Sequence, residues 1–220
     1  MNKFFNTAGF CNPERHYMVN PLRRLDNIKE LIEKELYFTL HAPRQTGKTT
    51  FLYAMAKELN KEGKYTALVV SFERAGYGSV THEKANEILM DSIYRSASLQ
   101  LPKKYRPQNQ FEKKFVDMGN YLNDWCQSMD KPLVLFIDEI DALLDDVLIS
   151  VLRQLRDGYQ SRPKGFPSSV VLVGLRDVRD YKAKLRPEDV SLGTASPFNV
   201  KAKSIFLGNF TFEEVKELLT

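Results

Sequence analysis

From residue 21 the apolar positions Leu22, Leu25, Ile28, Leu31, Ile32 and Leu36 recur at intervals of three and four, predicting one amphipathic helix. Asn20 is placed to cap it and Pro21 suits its first turn. Residues 37–42 then read as a short buried strand, and a second helix is predicted from Lys48 to Glu62, stopped by Gly63. Further apolar runs at 66–72, 133–137, 169–174 and 203–207 predict four more strands. Helices are expected from Thr81 toward Ser98, over 111–128 with Phe111, Phe115, Met118, Leu122 and Trp125 along one side, and over 145–160.

Because these strand runs are nearly continuous in apolar residues, both sheet faces are expected to be covered. Helices between successive strands point to an α/β domain with a parallel sheet, whose ligand sits at the carboxyl ends of the strands. Residues 1–20 show no sustained period and read as an N-terminal arm, followed by a core over 21–210. At 211–220, Thr211 is placed as a cap with Glu214 reaching back and Phe210 stapling onto Val215. That last helix stops after about two turns, and residues 211–220 are expected to be the start of a truncated or absent lid region.

The chain's 220 residues suffice for one substantial core without disulfides. Cys11 and Cys126 have no ligand-like spacing to each other or to His16, His41 and His82, which suits a reducing, cytoplasmic setting. No apolar run approaches a membrane span in length. A net charge of +4 is mild, and Lys103, Lys104 and Arg106, with the cluster over 176–186, are the local basic concentrations. Contact with DNA is compatible with this charge but is unsupported by a basic stripe.

The chemistry begins at Ala42-Pro43-Arg44-Gln45-Thr46-Gly47-Lys48-Thr49-Thr50, a strand end, a tight loop and a helix start. Successive amides around 44–49 and the positive end of the following helix suit a polyphosphate. Gly47 permits close approach, Lys48 can reach the β- and γ-phosphates, and the Thr49 hydroxyl can ligate Mg2+. Ala42 stands where this pattern usually opens with glycine.

A second signal, Leu133-Val-Leu-Phe-Ile-Asp138-Glu139, brings two carboxylates to a strand end, a costly placement in a buried element unless each is paired or solvated. Asp138 is assigned to Mg2+ and Glu139 to the water that attacks the γ-phosphate; Asp141 is expected to point elsewhere. Arg176 or Asp177, after the fourth strand, is a candidate for sensing the far end of the nucleotide, and Arg153 and Arg156 for the phosphate or a neighbouring subunit. Residues 17–23 precede the loop and are placed to wrap a base, with Tyr17 as a possible stacking partner.

Taken with the arm His16-Tyr-Met-Val-Asn-Pro-Leu-Arg23 and the phrases at 37–50, 136–141, 151–156, 173–181 and 194–199, the chain resembles the AAA-like ATPases of the additional-strand class. Within them it is similar to a prokaryotic regulatory, STAND-type ATP-binding family. The resemblance implies a P-loop NTPase with a five-stranded sheet in the order 5-1-4-3-2, binding ATP or ADP with Mg2+. It also implies a helical lid after the core and action on a protein partner, a neighbouring subunit or DNA. An ATPase or ATP-controlled switch is the leading expectation, with a DNA-associated loader or helper and a nucleotide-binding adaptor of negligible turnover as alternatives.

Overall fold

A computed structural model describes residues 3–7, 9–25, 27–76, 81–109, 113–143, 145–176 and 200–219. Its strands are β1 (Tyr37–His41), β2 (Thr66–Ser71), β3 (Leu133–Asp138), β4 (Ser169–Gly174) and β5 (Lys201–Phe206). All pairings are parallel and the spatial order is β2-β3-β4-β1-β5, the expected order read from the other edge. The helices are α1 (Ile28–Glu33), α2 (Lys48–Glu62), α3 (His82–Gln100), α4 (Met118–Gln127), α5 (Asp145–Asp157) and α6 (Phe212–Leu219).

Strand β3 shows why the apolar runs do not alternate. Leu133, Leu135 and Ile137 pack with residues of α3, α4 and α5, while Val134 and Phe136 join α1 and α2 on the opposite face. Every β3 position is therefore buried, and each large apolar side chain contributes about 1.5–3 kcal/mol relative to exposure. Trp125 and Tyr121 on α4 are almost fully enclosed in the first of these cores. The outer edge of β2 is covered by side chains: Asn60 on α2 pairs with both the N–H and C=O of Ala67, and Gln100 on α3 does the same with Val69.

Two expected helices are shorter than the pattern suggests. The helix expected over 21–36 is split into a 3-10 turn, Pro21–Arg24, capped by the Asn20 side chain, and α1 beginning at Ile28. Leu25 leaves the turn with φ −144°, outside the helical region, and so interrupts the pattern. The helix expected over 111–128 begins only at Met118, because the Asp117 side chain accepts from Asn120 N–H and caps it there. Phe115 packs beside the core from outside that helix, and Phe111 lies outside the described residues. At the far end Thr211 and Glu214 form the expected capping box, at 2.7 and 3.2 Å. Among the described residues no helix is long and apolar enough to cross a membrane.

Candidate functional site

Strand β1 passes into α2 through residues 42–47. Gln45 (φ 61°) and Gly47 (φ 86°) both adopt left-handed backbone, which glycine takes freely and glutamine at about 1–2 kcal/mol. The Thr46 hydroxyl donates to the Pro43 carbonyl at 2.9 Å. Lys48 folds back over the turn, its Nζ donating to the carbonyls of Ala42 at 2.8 Å and Pro43 at 2.7 Å. Ala42 keeps a negative φ, is fully buried and donates its N–H to Gly174 at 3.2 Å. Alanine is thus tolerated at the glycine position, and the loop is tied to the end of β4.

Asp138 ends β3 and is 5% exposed. Its Oδ2 accepts from the Thr49 hydroxyl at 2.7 Å, and its Oδ1 from the Glu139 N–H at 3.0 Å. Burial pushes this carboxyl up; the Thr49 bond and the Lys48 charge pull it down. Glu139 has left-handed backbone (φ 57°), and its Oε2 accepts from the Ser71 hydroxyl at 2.7 Å, so the ends of β2 and β3 hold it between them. Partial burial pushes the Glu139 carboxyl up, with the Ser71 bond opposing. Burial also lowers Lys48, against the attraction of Asp138, Asp141 and Glu139. A cleft of about 620 Å³ joins these groups, lined by Arg44, Gln45, Lys48, Thr49, Asp138 and Glu139 among others.

Asp141 corrects the expectation that it points elsewhere. The left-handed turn at Glu139 sends the chain into the 3-10 turn Ile140–Ala142, which folds Asp141 back onto the same cleft. A Cβ at Gly174 would lie 2.9 Å from Asp141 Oδ1, so glycine at the end of β4 makes room for this third carboxylate. Gly76 does the same for the turn itself, since a Cβ there would meet the Ala142 carbonyl oxygen at 2.1 Å. Gly76→Ala is expected to lower stability by about 1–3 kcal/mol through displacement of that turn. Thermal melting checks this, and a parental melting temperature would show that the turn yields without cost.

The oxygen donors Thr49 and Asp138 are hard ligands already in contact on the cleft, and their chemistry fits Mg2+.

Beside this cleft lies a second cavity of about 750 Å³. Phe5, Tyr17, Val19, Phe210 and Leu218 give it a largely apolar wall, while Gln45, Gly47 and Thr50 form its loop side. Gln45 lines both spaces, so the polar cleft and the apolar cavity adjoin across one loop residue. The arm forms one wall of the cavity and docks on α2: Cys11 N–H donates to Thr50 Oγ1 at 3.0 Å, and Phe10 stacks on Tyr53 at 4.6 Å. Tyr17 is about half exposed and packs against Phe5 at 5.1 Å.

The arginine expectations divide. Arg176 is exposed and stands one residue beyond Leu175, which lines the polar cleft. Arg153 and Arg156 are not brought to the cleft. They line a groove with Tyr159 and Lys201, and Lys201 pairs with Tyr37 at the amino end of β1, opposite the loop. Arg153 also lines a second groove with Asp117 and Asp146, away from Lys48 and Asp138. Asp177, Arg179 and the 194–199 phrase lie outside the described residues. Ser71 and Arg24 were not singled out from sequence. Ser71 had a local signal, a hydroxyl at a strand end, whereas Arg24 acts across distances no local pattern shows.

The sequence profile of the AAA domain family matches residues 32–181, a span that holds the loop, the carboxylates and strands β1 to β4. The chain belongs to the AAA domain family. AAA domains of this kind are P-loop ATPases, which accords with the loop and strand order above. A search of curated proteins finds no match. Among solved structures the chain is similar to the Walker-type ATPase PABY2304 of Pyrococcus abyssi, with TM-score 0.66 and 16% identity over 97% of this chain and 60% of that one. It is also similar to Cdc6p from Pyrobaculum aerophilum, with TM-score 0.56 and 17% identity over 94% of this chain and 49% of that one. A Drosophila ORC structure bound to poly(dA/dT) DNA and Cdc6 aligns with TM-score 0.55 and 13% identity, over 90% of this chain and 30% of that chain. These are likenesses of fold, and this chain spans 60% or less of each of the three.

Proposed function

We propose that this AAA domain binds ATP with Mg2+ and hydrolyses it to ADP and phosphate. The observation that carries the reading is the 2.7 Å contact between the Thr49 hydroxyl and the Asp138 carboxylate, which joins the two motifs at one cleft with Lys48. Amides of residues 44–49 at the start of α2 receive the phosphates, and Lys48 leaves its carbonyl partners to meet the β- and γ-phosphates. Thr49 and Asp138 would hold Mg2+, which would supply neutralisation of the phosphate charge. Glu139, with its carboxyl already raised by burial, orients the attacking water and accepts its proton. Arg176 is assigned to sensing the γ-phosphate from the end of β4. Turnover with Mg2+, abolished by a chelator and by Lys48→Ala, tests the assignment; a chain that neither binds nor hydrolyses ATP overturns it.

The base lies in the apolar cavity, with Tyr17 against it. Cys11 lines this space and is partly exposed, while Cys126 is buried in the core with its thiol pushed up by burial. Mg-ATP at about ten times its Kd is therefore expected to slow alkylation of Cys11 about tenfold, with Cys126 unreactive throughout. Alkylation at an unchanged rate under saturating nucleotide would move the base elsewhere. The hydrolytic cycle acts, in this reading, on a protein partner or a neighbouring subunit, and turnover measured with and without duplex DNA tests the DNA-associated alternative.

A further inference from the structure

Arg24 ends the 3-10 turn ahead of α1, and its side chain is 6% exposed. Every nitrogen of its guanidinium is engaged. Nη1 donates to the Thr46 carbonyl in the phosphate loop at 2.5 Å, and Nη2 donates to the Gly208 carbonyl beyond β5 at 2.6 Å. Nε lies 3.2 Å from Glu214 Oε1 on α6, and the Phe210 ring stacks 4.2 Å from the guanidinium carbon. Its neighbour Arg23 has a 70% exposed side chain and a single 3.6 Å ion pair to Glu217, as an ordinary surface residue does.

We infer that Arg24 is a positioning residue that couples the phosphate loop to α6, so that nucleotide in the loop and docking of α6 favour each other. The inference rests on the nucleotide reading above for its ligand, and on the contacts of Arg24 for its mechanism. In a trans peptide the C=O and the following N–H point to opposite sides. Pinning the Thr46 carbonyl on Arg24 therefore fixes the direction of the Gly47 N–H, one of the amides that open α2. Contact continues through Gly47 itself, where a Cβ would sit 3.5 Å from Arg24 Nη1 and 3.7 Å from the Phe210 ring.

The other end of the connection is weakly held. Helix α6 has no buried residue, and Phe212 and Leu219 are 77% and 75% exposed. The Glu214 carboxylate meets Arg24 there, the Arg23–Glu217 pair adds a screened surface contact, and Leu218 lines the cavity beside them. A group that orders the loop strengthens the Arg24 anchor and through it the seat of α6, and linkage makes the effect equal in both directions. Lysine cannot replace this arrangement, because one compact ammonium does not present the planar fork that meets two carbonyls and a carboxylate.

Hydrogen exchange on the whole chain, with nucleotide affinity measured alongside, tests the coupling. Glu214→Gln keeps the capping box with Thr211, since glutamine also accepts at that position, but removes the charge facing Arg24. In the nucleotide-free chain, Arg24→Lys and Glu214→Gln are each expected to speed exchange of residues 208–219 about tenfold and also to speed exchange of the loop amides 44–49, with β3 and β4 unchanged. Mg-ATP slows exchange of α6 in the parent and fails to do so in Arg24→Lys, whose affinity falls about tenfold, the loss of one charge-assisted contact. A Glu214→Gln effect confined to α6, with loop exchange and ATP response at parental levels, overturns the coupling. A parent that binds no nucleotide overturns the ATP reading, while the nucleotide-free exchange of loop and helix still decides the coupling.

Discussion

Replacing Lys48 with alanine is expected to weaken Mg-ATP binding about a hundredfold while leaving the fold intact. A charge-assisted hydrogen bond contributes about 1.5–3 kcal/mol, and a lysine serving the β- and γ-phosphates together accounts for a loss of that size. The fold should not suffer, because the ammonium sits partly buried against two loop carbonyls and burial already disfavours its charge. Isothermal calorimetry or displacement of a fluorescent nucleotide reads the affinity, and thermal melting reads the fold. Parental affinity in the folded variant would remove Lys48 from the phosphate site.

Glu139→Gln is expected to separate binding from turnover. Glutamine preserves shape and still accepts from the Ser71 hydroxyl, so nucleotide affinity stays within about twofold of the parent. It cannot take a proton from water, and hydrolysis falls by about 100- to 10,000-fold. Stability moves the other way. The Glu139 carboxyl is raised in the folded state, first by burial and then by Glu73, Asp138 and Asp141 nearby. The ionised form therefore opposes folding at neutral pH, and the penalty fades as pH falls and the carboxyl protonates. The neutral amide should melt no lower than the parent at neutral pH. Hydrolysis at the parental rate would show that another group activates the water.

Sequence legibility followed how local each cause was. Helix α2 could be bounded because Lys48 opens it after a glycine and Gly63 ends it with φ 76°, both marked in the chain itself. Strands β3 and β4 were legible because they are buried on both faces and nothing polar interrupts them. The split before α1 was hidden, since Leu22 and Leu25 keep helical spacing although the backbone leaves the helix at Leu25. Asp117 was a readable cap that the long apolar stripe from Phe111 outweighed. In the site, Lys48, Thr49, Asp138 and Glu139 converge on one cleft as their motifs require. Asp141 was misplaced because its direction follows from left-handed backbone at Glu139, which no propensity assigns to a glutamate. Arg24 was invisible for a different reason: its partners Thr46 and Gly208 lie 22 and 184 residues away, and only the closed fold assembles them.

The side-chain amides on the outer edge of β2 bear on how copies of this domain can meet. Asn60 and Gln100 occupy N–H and C=O groups of Ala67 and Val69 that an incoming strand would need. Among the described residues, those positions of the β2 edge are already taken, which makes that edge a poor template for joining a second sheet.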